Sequence, residues 1–585
     1  MKAPTLLSLW LLCFSACGLT QNDLQKKDDN GLKPIIRGWN ILTNIPEEGE
    51  AIIQRAKEYE VNHLQLSHHL IMDLKDARDK RKVALVNSFI DKAHQENIKE
   101  VLVWDHALYN LDYYPDEFKN SAGKLDLDNA GFWEWFKNDY REMMALLPKV
   151  DGIVLTFIET GARAEDQYSE YLKTGGEKLA LVVNAIADVL IKELDKSLYI
   201  RTFAYNDTEY KNVLECVQLL EHDEIKLMIK ETPHDFFLYH PPNPLPGKID
   251  RPTLVEFDLG NEFNGQSIIA NTYVEHVFNR WKSFEDRPHV IGYVARVDRY
   301  GTTKTIDKPS EILLEAMYRA PTLEKYDSIY NIFLKKRYGE AAFADLNKAF
   351  RLSYGIVKSS FYTLGLNSNN HSGLDFDYRS IYTRHVSGRW TDSPMVKVEN
   401  GVNKEFHYWK HIVNHLAPAH HKKAEGYNLK EIPKVLEVNW IQPKELMNQK
   451  YLEYVITEKD YGVDLAMQAL GHIKAVENKV ETKSYQVLYD TFYRTLIAAK
   501  LRRAVAKAYY GYRIYARGEE HRTEKLHAII EEGLAETRQM IAEIKTMKEV
   551  PSGQWKWHRD AEVAEAYIEK ITKKGWEQYG NVVFQ

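Results

Sequence analysis

Eight short apolar runs, separated by stretches of helical period, fill the chain between Pro34 and about Asp298. They lie at 35–41, 62–67, 98–104, 151–157, 198–204, 225–230, 253–258 and 289–295, with amphipathic stretches at 48–59, 84–96, 130–147, 178–195 and 266–282. Runs of near-continuous hydrophobicity that alternate with helices predict a parallel sheet covered on both faces. Eight such units over about 260 residues fit a closed (β/α)8 barrel better than an open sheet. No glycine-rich phosphate turn follows the first run, which weakens a dinucleotide-binding reading further.

After about residue 310 the texture changes. Helical periodicity dominates at 308–319, 322–336, 340–361, 404–416, 460–478, 483–517, 519–547 and 557–575, with no convincing strand pair among them. The expectation is a TIM barrel over 34–310 followed by a mostly α-helical C-terminal domain over 311–585. Segment 364–394 is rich in Asn, Ser, Gly, Asp, Tyr and Arg, and is too long for a simple connection. It reads either as a surface loop or as a loop folded over the barrel mouth. In the second case Tyr378, Arg379, Tyr382, Arg384, His385 and Trp390 are its polar-aromatic candidates.

Charge excludes some partners. The 585 residues carry a formal net charge of −6, so no basic excess is available to neutralise a nucleic-acid backbone. Three cysteines occur: Cys13, Cys17 and Cys216. The first two fall in the N-terminal leader, so the body has neither an internal disulfide nor a Cys-rich zinc site. Cys216 reads as a small buried hydrophobe. In the leader, Lys2 precedes an apolar stretch from Thr5 to Phe14 that is too short to span a bilayer. It ends in Phe14-Ser15-Ala16-Cys17, similar to the lipobox of bacterial lipoproteins. Residues 1–16 are therefore expected to be a signal peptide and 17–33 a polar tether. Export to the periplasm or cell surface follows, with Cys17 lipidated or the leader simply cleaved. A membrane partner enters only through that anchor.

In a (β/α)8 barrel the active site forms at the C-terminal ends of the strands. Three carboxylates stand just past strand ends: Glu159 after the fourth, Asp235 after the sixth and Glu262 after the seventh. Neighbouring βα-loops would bring them to one mouth, where burial and mutual repulsion raise a carboxyl's pKa. One protonated acid facing one carboxylate suits glycoside hydrolysis, and such acid–base help is worth about 10²–10⁴-fold. There is no HExxH motif, and the adjacent pairs His68-His69 and His420-His421 are poorly spaced for a helix-borne metal. Nor is there a Gly-x-Ser-x-Gly elbow. Neither a metal nor a cofactor is expected. Aromatics make up 12% of the chain, and Trp39, Trp104, Tyr113 and Tyr114 are candidates for stacking on sugar rings, although each alone more often packs a core.

At these residues the sequence resembles the catalytic barrel of glycoside hydrolase family 67, the α-glucuronidases. Most specific is 225–266, with Ile229-Lys230, Pro233-x-Asp235-Phe236, Pro242, Pro244-Leu245, Thr253-Leu254-x-x-Glu256 and Glu262-Phe263-x-Gly265-Gln266. Upstream, Asp126-Leu127-Asp128, Trp133-x-Trp135, Leu147-Pro148-x-x-Asp151-Gly152 and Arg201-x-Phe203-x-Tyr205 are similar to other family motifs. The likeness covers about residues 60–320.

The resemblance implies an inverting α-glycosidase acting on uronic-acid-containing oligosaccharide or polysaccharide fragments. Glu159 would be the general acid, with Asp235 and Glu262 holding and deprotonating water at an acid–base separation of about 6.5–9.5 Å. Lys230 and Arg201 match substrate-binding positions, or serve as structural ion pairs. The family's acid motif carries a lysine where Leu155 stands here, and its Glu-Gly has become Glu159-Thr160-Gly161. The family's N-terminal β-domain has no counterpart between the tether and the first run. Arg163, Arg296, Arg299 or a residue of 364–394 then become the candidates for a substitute cation. Alternatives are the same mechanism on a neutral glycoside, and a non-catalytic glycan-binding surface lipoprotein.

Overall fold

The computed structural model describes residues 36–157, 159–202, 207–232, 235–238, 242–299, 322–363, 366–367, 369–374, 449–515, 518–550 and 555–573. The leader with Cys17, the tether, the helices expected at 308–319 and 404–416, and Tyr378 to Trp390 lie outside them.

Eight parallel strands close into a barrel in chain order. They are β1 (Ile36–Ile41), β2 (His63–Leu66), β3 (Glu100–His106), β4 (Gly152–Thr156), β5 (Ser197–Arg201), β6 (Lys226–Lys230), β7 (Thr253–Asp258) and β8 (Val290–Arg296). The seam is the parallel pairing of β1 with β8, where Asn40 lies level with Arg296. A register shift between Thr253 and Leu254 places Gly292 at φ 152°, with its α-carbon facing the Ile36 carbonyl. A Cβ there would stand 2.0 Å from that oxygen, so only glycine closes the ring at this point.

Strand alternation sorts the side chains. Leu102, Val154, Tyr199, Met228, Leu254 and Val294 fill the lumen. The intervening residues, such as Ile41, Leu64, Val103, Leu155 and Ile229, belong to the larger core under the helices. At the floor, where the strands begin, Glu100 accepts from the Tyr199 hydroxyl at 2.9 Å and lies 2.8 Å from His63 Nδ1. Burial alone would raise the Glu100 carboxyl, but His63 and Lys226 outweigh it and hold it at about 2.

The surrounding helices are α1 (Pro46–Glu58), α2 (Lys80–Gln95), α3 (Ala130–Ala145), α4 (Gly175–Ala187), α5 (Asp207–Gln218) and α6 (Val274–Lys282). Their starts are written locally. Asn129 accepts from the backbone of Gly131 and Phe132 ahead of α3, and Thr174 with Glu177 forms a capping box on α4. Helix α6 begins at Val274, not at 266 as its periodicity predicts. Asn261, Gly265, Gln266 and Ser267 all have positive φ, which breaks the helical path and leaves a loop on the mouth.

Beyond the barrel, α7 (Leu323–Tyr338), α8 (Glu340–Phe361), α9 (Gln449–Lys474), α10 (Thr482–Val505), α11 (Glu524–Thr546) and α12 (Trp557–Lys573) form the helical region. Helix α10 continues through a π-turn at Ala506–Tyr510 into Gly511–Tyr515. One apolar core runs through the barrel's outer layer and these helices. Polar ties add to it at the mouth end. Ala270 N donates to Thr495 Oγ1 at 2.9 Å, Thr272 N to Ser353 Oγ at 2.8 Å, and Leu238 N to the Tyr362 hydroxyl at 2.9 Å.

Candidate active site

The C-terminal strand ends and the loops beyond them carry a connected ionic system. It begins at Glu159, past β4, whose Oε2 lies 3.8 Å from Arg201 Nη1 at the end of β5. Arg201 Nε donates to Glu256 Oε2 at 2.7 Å, and Arg296 Nη2 approaches Glu256 Oε1 at 3.0 Å. Arg296 Nη1 reaches Glu262 Oε2 at 3.0 Å, and Arg299 Nη2 shares that oxygen at 2.6 Å while touching Asp258 Oδ1 at 3.2 Å. Lys230 Nζ donates to Asp235 Oδ1 at 2.6 Å and stands 4.6 Å from the Phe236 ring centroid.

Apart from Glu159, these groups sit in dry surroundings, so their charge states depend on one another. Burial would raise the Glu256 carboxyl, yet Arg201 and Arg296 pull it below its ordinary value. Burial is likewise overcome at Glu262, where Arg299, His371 and Arg296 hold the carboxyl well down. Lys230 moves the other way, lowered by burial more than Asp235 raises it. His68, at the end of β2 with φ 53°, is lowered well below the usual imidazole range by burial, then by Arg296 and Arg299. It is a neutral ring, and Ser67 Oγ lies 2.8 Å from its Nδ1.

All three expected carboxylates therefore emerge at the C-terminal end of the barrel, but in unequal settings. The Glu159 side chain is 46% exposed, against 13% for Asp235 and 10% for Glu262. Arg201, Lys230 and Arg296 join them there. Arg299 does too, whereas Arg163 is taken up by Glu165 and Glu209 at 2.9 and 3.0 Å.

The aromatic candidates divide differently. Trp39 points out of the barrel, fully buried 5.6 Å from the Tyr59 ring, because it follows the inward-facing Gly38 on β1. It is a core residue and not a sugar platform. Trp104 does face the mouth, but it is 2% exposed, with His68 at 5.1 Å and the Arg201 guanidinium at 4.9 Å. Its role is to support those two groups. Tyr113 and Tyr114 pack with Phe132 and Trp135 inside the loop after β3, with the Tyr113 hydroxyl on Asp139, and so do not form the rim.

Two participants are given no role by the sequence. Glu256 has a readable signal, an acid inside the apolar run 253–258. His371 falls in segment 364–394, of which one reading is a loop over the mouth, and it arrives from beyond α8 to place Nε2 3.2 Å from Glu262 Oε1. Among the described residues no group of three or more His, Cys, Asp or Glu side chains is placed to hold a metal ion.

No protein-family model matches the chain, and no curated protein matches it in sequence. Among solved structures it is similar to a GH138 enzyme targeting pectin rhamnogalacturonan II, at 10% identity with a TM-score of 0.59. That match covers 95% of this chain and 70% of the other. Looser similarities are to a mutant O-GlcNAc hydrolase of Thermobaculum terrenum (10% identity, TM-score 0.43, covering 93% and 94% of the two chains) and to CpGH84D (11%, 0.39, 92% and 75%). At such identity the first likeness is one of fold, a barrel with its helical companion, and the other two carry no argument.

Proposed function

We propose that the chain is a glycoside hydrolase working at the barrel mouth, with Glu159 as general acid and Asp235 and Glu262 as the carboxylates that position and deprotonate water. The observation that carries this reading is the inequality of the three. Glu159 is half exposed with Arg201 at 3.8 Å, while the other two are nearly dry and held in closer ion pairs, and carboxyls in contrasting environments divide acid and base work. Glu159 gives its proton to the leaving oxygen as the glycosidic C–O bond breaks. Water attacks the anomeric carbon from the opposite face and passes its proton to the waiting carboxylate, inverting the anomer. The GH138 fold neighbour, an enzyme targeting pectin rhamnogalacturonan II, supports the class of reaction.

Replacing Glu159 with Gln tests it. Turnover should fall about 10²–10⁴-fold with oligosaccharide affinity retained. Hydrolysis at the parent rate removes the acid assignment, and a protein that only binds glycan is indifferent to the change.

The sugar is an α-linked uronic acid on the α-glucuronidase-like reading, supported by Arg201, Lys230, Arg296 and Arg299 at the mouth, since a guanidinium or ammonium suits a desolvated carboxylate. A second reading, a neutral glycoside, is favoured by how those cations are spent. Each already meets a carboxylate among Glu256, Asp235, Glu262 and Asp258. Lys230→Met separates the two. A uronide enzyme loses far more activity on 4-nitrophenyl α-glucuronide than on the matching glucoside, and equal losses mark the lysine as structural. Export with Cys17 lipidated completes the proposal. Mass spectrometry of the mature N-terminal peptide decides between a diacylglyceryl cysteine and a plain cleaved end.

A further inference from the structure

The loop after β7 is not held by the barrel alone. Asn261, Gly265, Gln266 and Ser267 stand at φ of 61°, 112°, 45° and 59°. Non-glycine residues in that region persist only where their surroundings hold them. The surface that holds them is the hairpin 369–374, whose turn residues His371 and Ser372 also have positive φ, 42° and 74°. The two turns lock together. Ser372 Oγ accepts from Gly265 N at 2.9 Å and donates to the Glu262 carbonyl at 2.8 Å. The Gln266 amide donates to the His371 carbonyl at 2.6 Å and the Glu262 carbonyl at 3.0 Å.

The side chains repeat the pattern. His371 stacks on Phe263, with ring centroids 5.4 Å apart. Arg296 and Arg299 both take Oε2 of Glu262, which leaves Oε1 to His371 Nε2 at 3.2 Å. Behind the hairpin, the fully buried Arg502 of α10 donates to the Ser372 carbonyl at 2.6 Å and to Asn369 Oδ1 at 2.9 Å. It also pairs with Asp560 of α12 at 3.2 Å, and Asp560 accepts from Leu374 N at 2.8 Å. Two helices of the C-terminal region, α10 and α12, thus converge on one turn.

We propose that the hairpin 369–374 is a working part of the mouth, with His371 the positioning residue that fixes Oε1 of Glu262. A carboxylate anchored through one oxygen can still swing about it. Anchored through both, it presents a defined lone pair, and an error of about 1 Å at such a group costs on the order of 10²-fold in rate. The effect on turnover rests on the glycosidase reading, whereas the pairing itself does not.

Two measurements on the full chain separate those claims. The first compares the His371 Nε2 and Cε1–H resonances of the parent and of Glu262→Gln at one fixed pH. Arg296 and Arg299 face the same carboxylate, with Asp258 behind Arg299. Replacing the carboxylate should displace the His371 ring resonances, and resonances that stay in place overturn the pairing. The second is steady-state kinetics on whichever of the α-glucuronide and α-glucoside the parent hydrolyses faster. His371→Ala should lower kcat about 10–100-fold with KM changed less than about threefold, and His371→Gln, which retains a donor, should recover most of the loss. An Ala variant at the parent kcat, or a Gln variant as poor as Ala, overturns the positioning role. A parent that hydrolyses neither glycoside defeats the glycosidase reading, and the resonance comparison still decides the pairing.

Discussion

From β1 to β4 the strand ends present Asn40, Ser67, His106 and Thr156, and from β5 to β8 they present Arg201, Lys230, Glu256 and Arg296. The first half is polar with hydrogen bonds to spare. Among the described residues Asn40 Nδ2 and Thr156 Oγ1 are buried without a hydrogen-bond partner. The second half is a set of mutually neutralising ions, each pinned by at least one other. Buried ions removed one at a time leave an uncompensated charge, so the ionic half is rigid and intolerant. A buried hydroxyl that lacks a partner costs the fold a little and rewards whatever brings one. One half is therefore fixed by paired charges, and the other keeps two buried polar atoms, Asn40 Nδ2 and Thr156 Oγ1, without a partner among the described residues.

The contrast breaks first at Glu256. Its replacement by Gln strands the Arg201 and Arg296 guanidiniums, and urea unfolding should show a loss of about 3–5 kcal/mol. A loss below about 1 kcal/mol would mean that the ions do not act as a set.

Asp105, on the outer face of β3 behind the polar half, sharpens the comparison through pH. Burial raises its carboxyl to about 6, although Tyr140, Leu74 N and Tyr109 donate to it. A folded pKa above the unfolded value near 3.8 means that its favourable contribution is complete below that pH and is lost as pH rises through 6. Two pH units correspond to about 3 kcal/mol. Asp105→Asn, which stays neutral, should diverge from the parent by about that amount between pH 4 and 7, and parallel stability curves would refute the shift. Glu262 has the opposite sign. Its folded pKa is depressed, so its contribution is present above the unfolded carboxyl range and fades only in stronger acid.

The smallest effect is expected at Thr156. Thr156→Val should change stability by less than about 1 kcal/mol, in either direction, because the hydroxyl has no partner to lose. If the substitution instead removes several kcal/mol, the polar half is as tightly held as the ionic one.

Much of this was legible in the chain. The eight runs place every strand within three residues, since parallel strands buried on both faces are continuous apolar segments flanked by helices. That same property hides which face a strand residue occupies. Both Trp39 and Asn40 are fully buried, so hydropathy does not say which faces the lumen, and the parity comes from the pairing, in which Asn40 lies level with the inward Arg296. The trio of acids was legible because strand ends are readable. The role of the loop 261–273 was not, because its left-handed turns are imposed by a hairpin that belongs to another part of the chain. Composition marks 364–394, with His371 inside it, as a candidate mouth loop but does not mark the partner, because Glu262 lies on the far side of helices α6, α7 and α8 in sequence.

The strand direction at the seam has one more consequence. Because β1 enters at the floor and runs toward the mouth, Ile36 stands at the end of the barrel opposite the ionic system, so a label coupled at Ile36 would report on the floor and leave the mouth undisturbed.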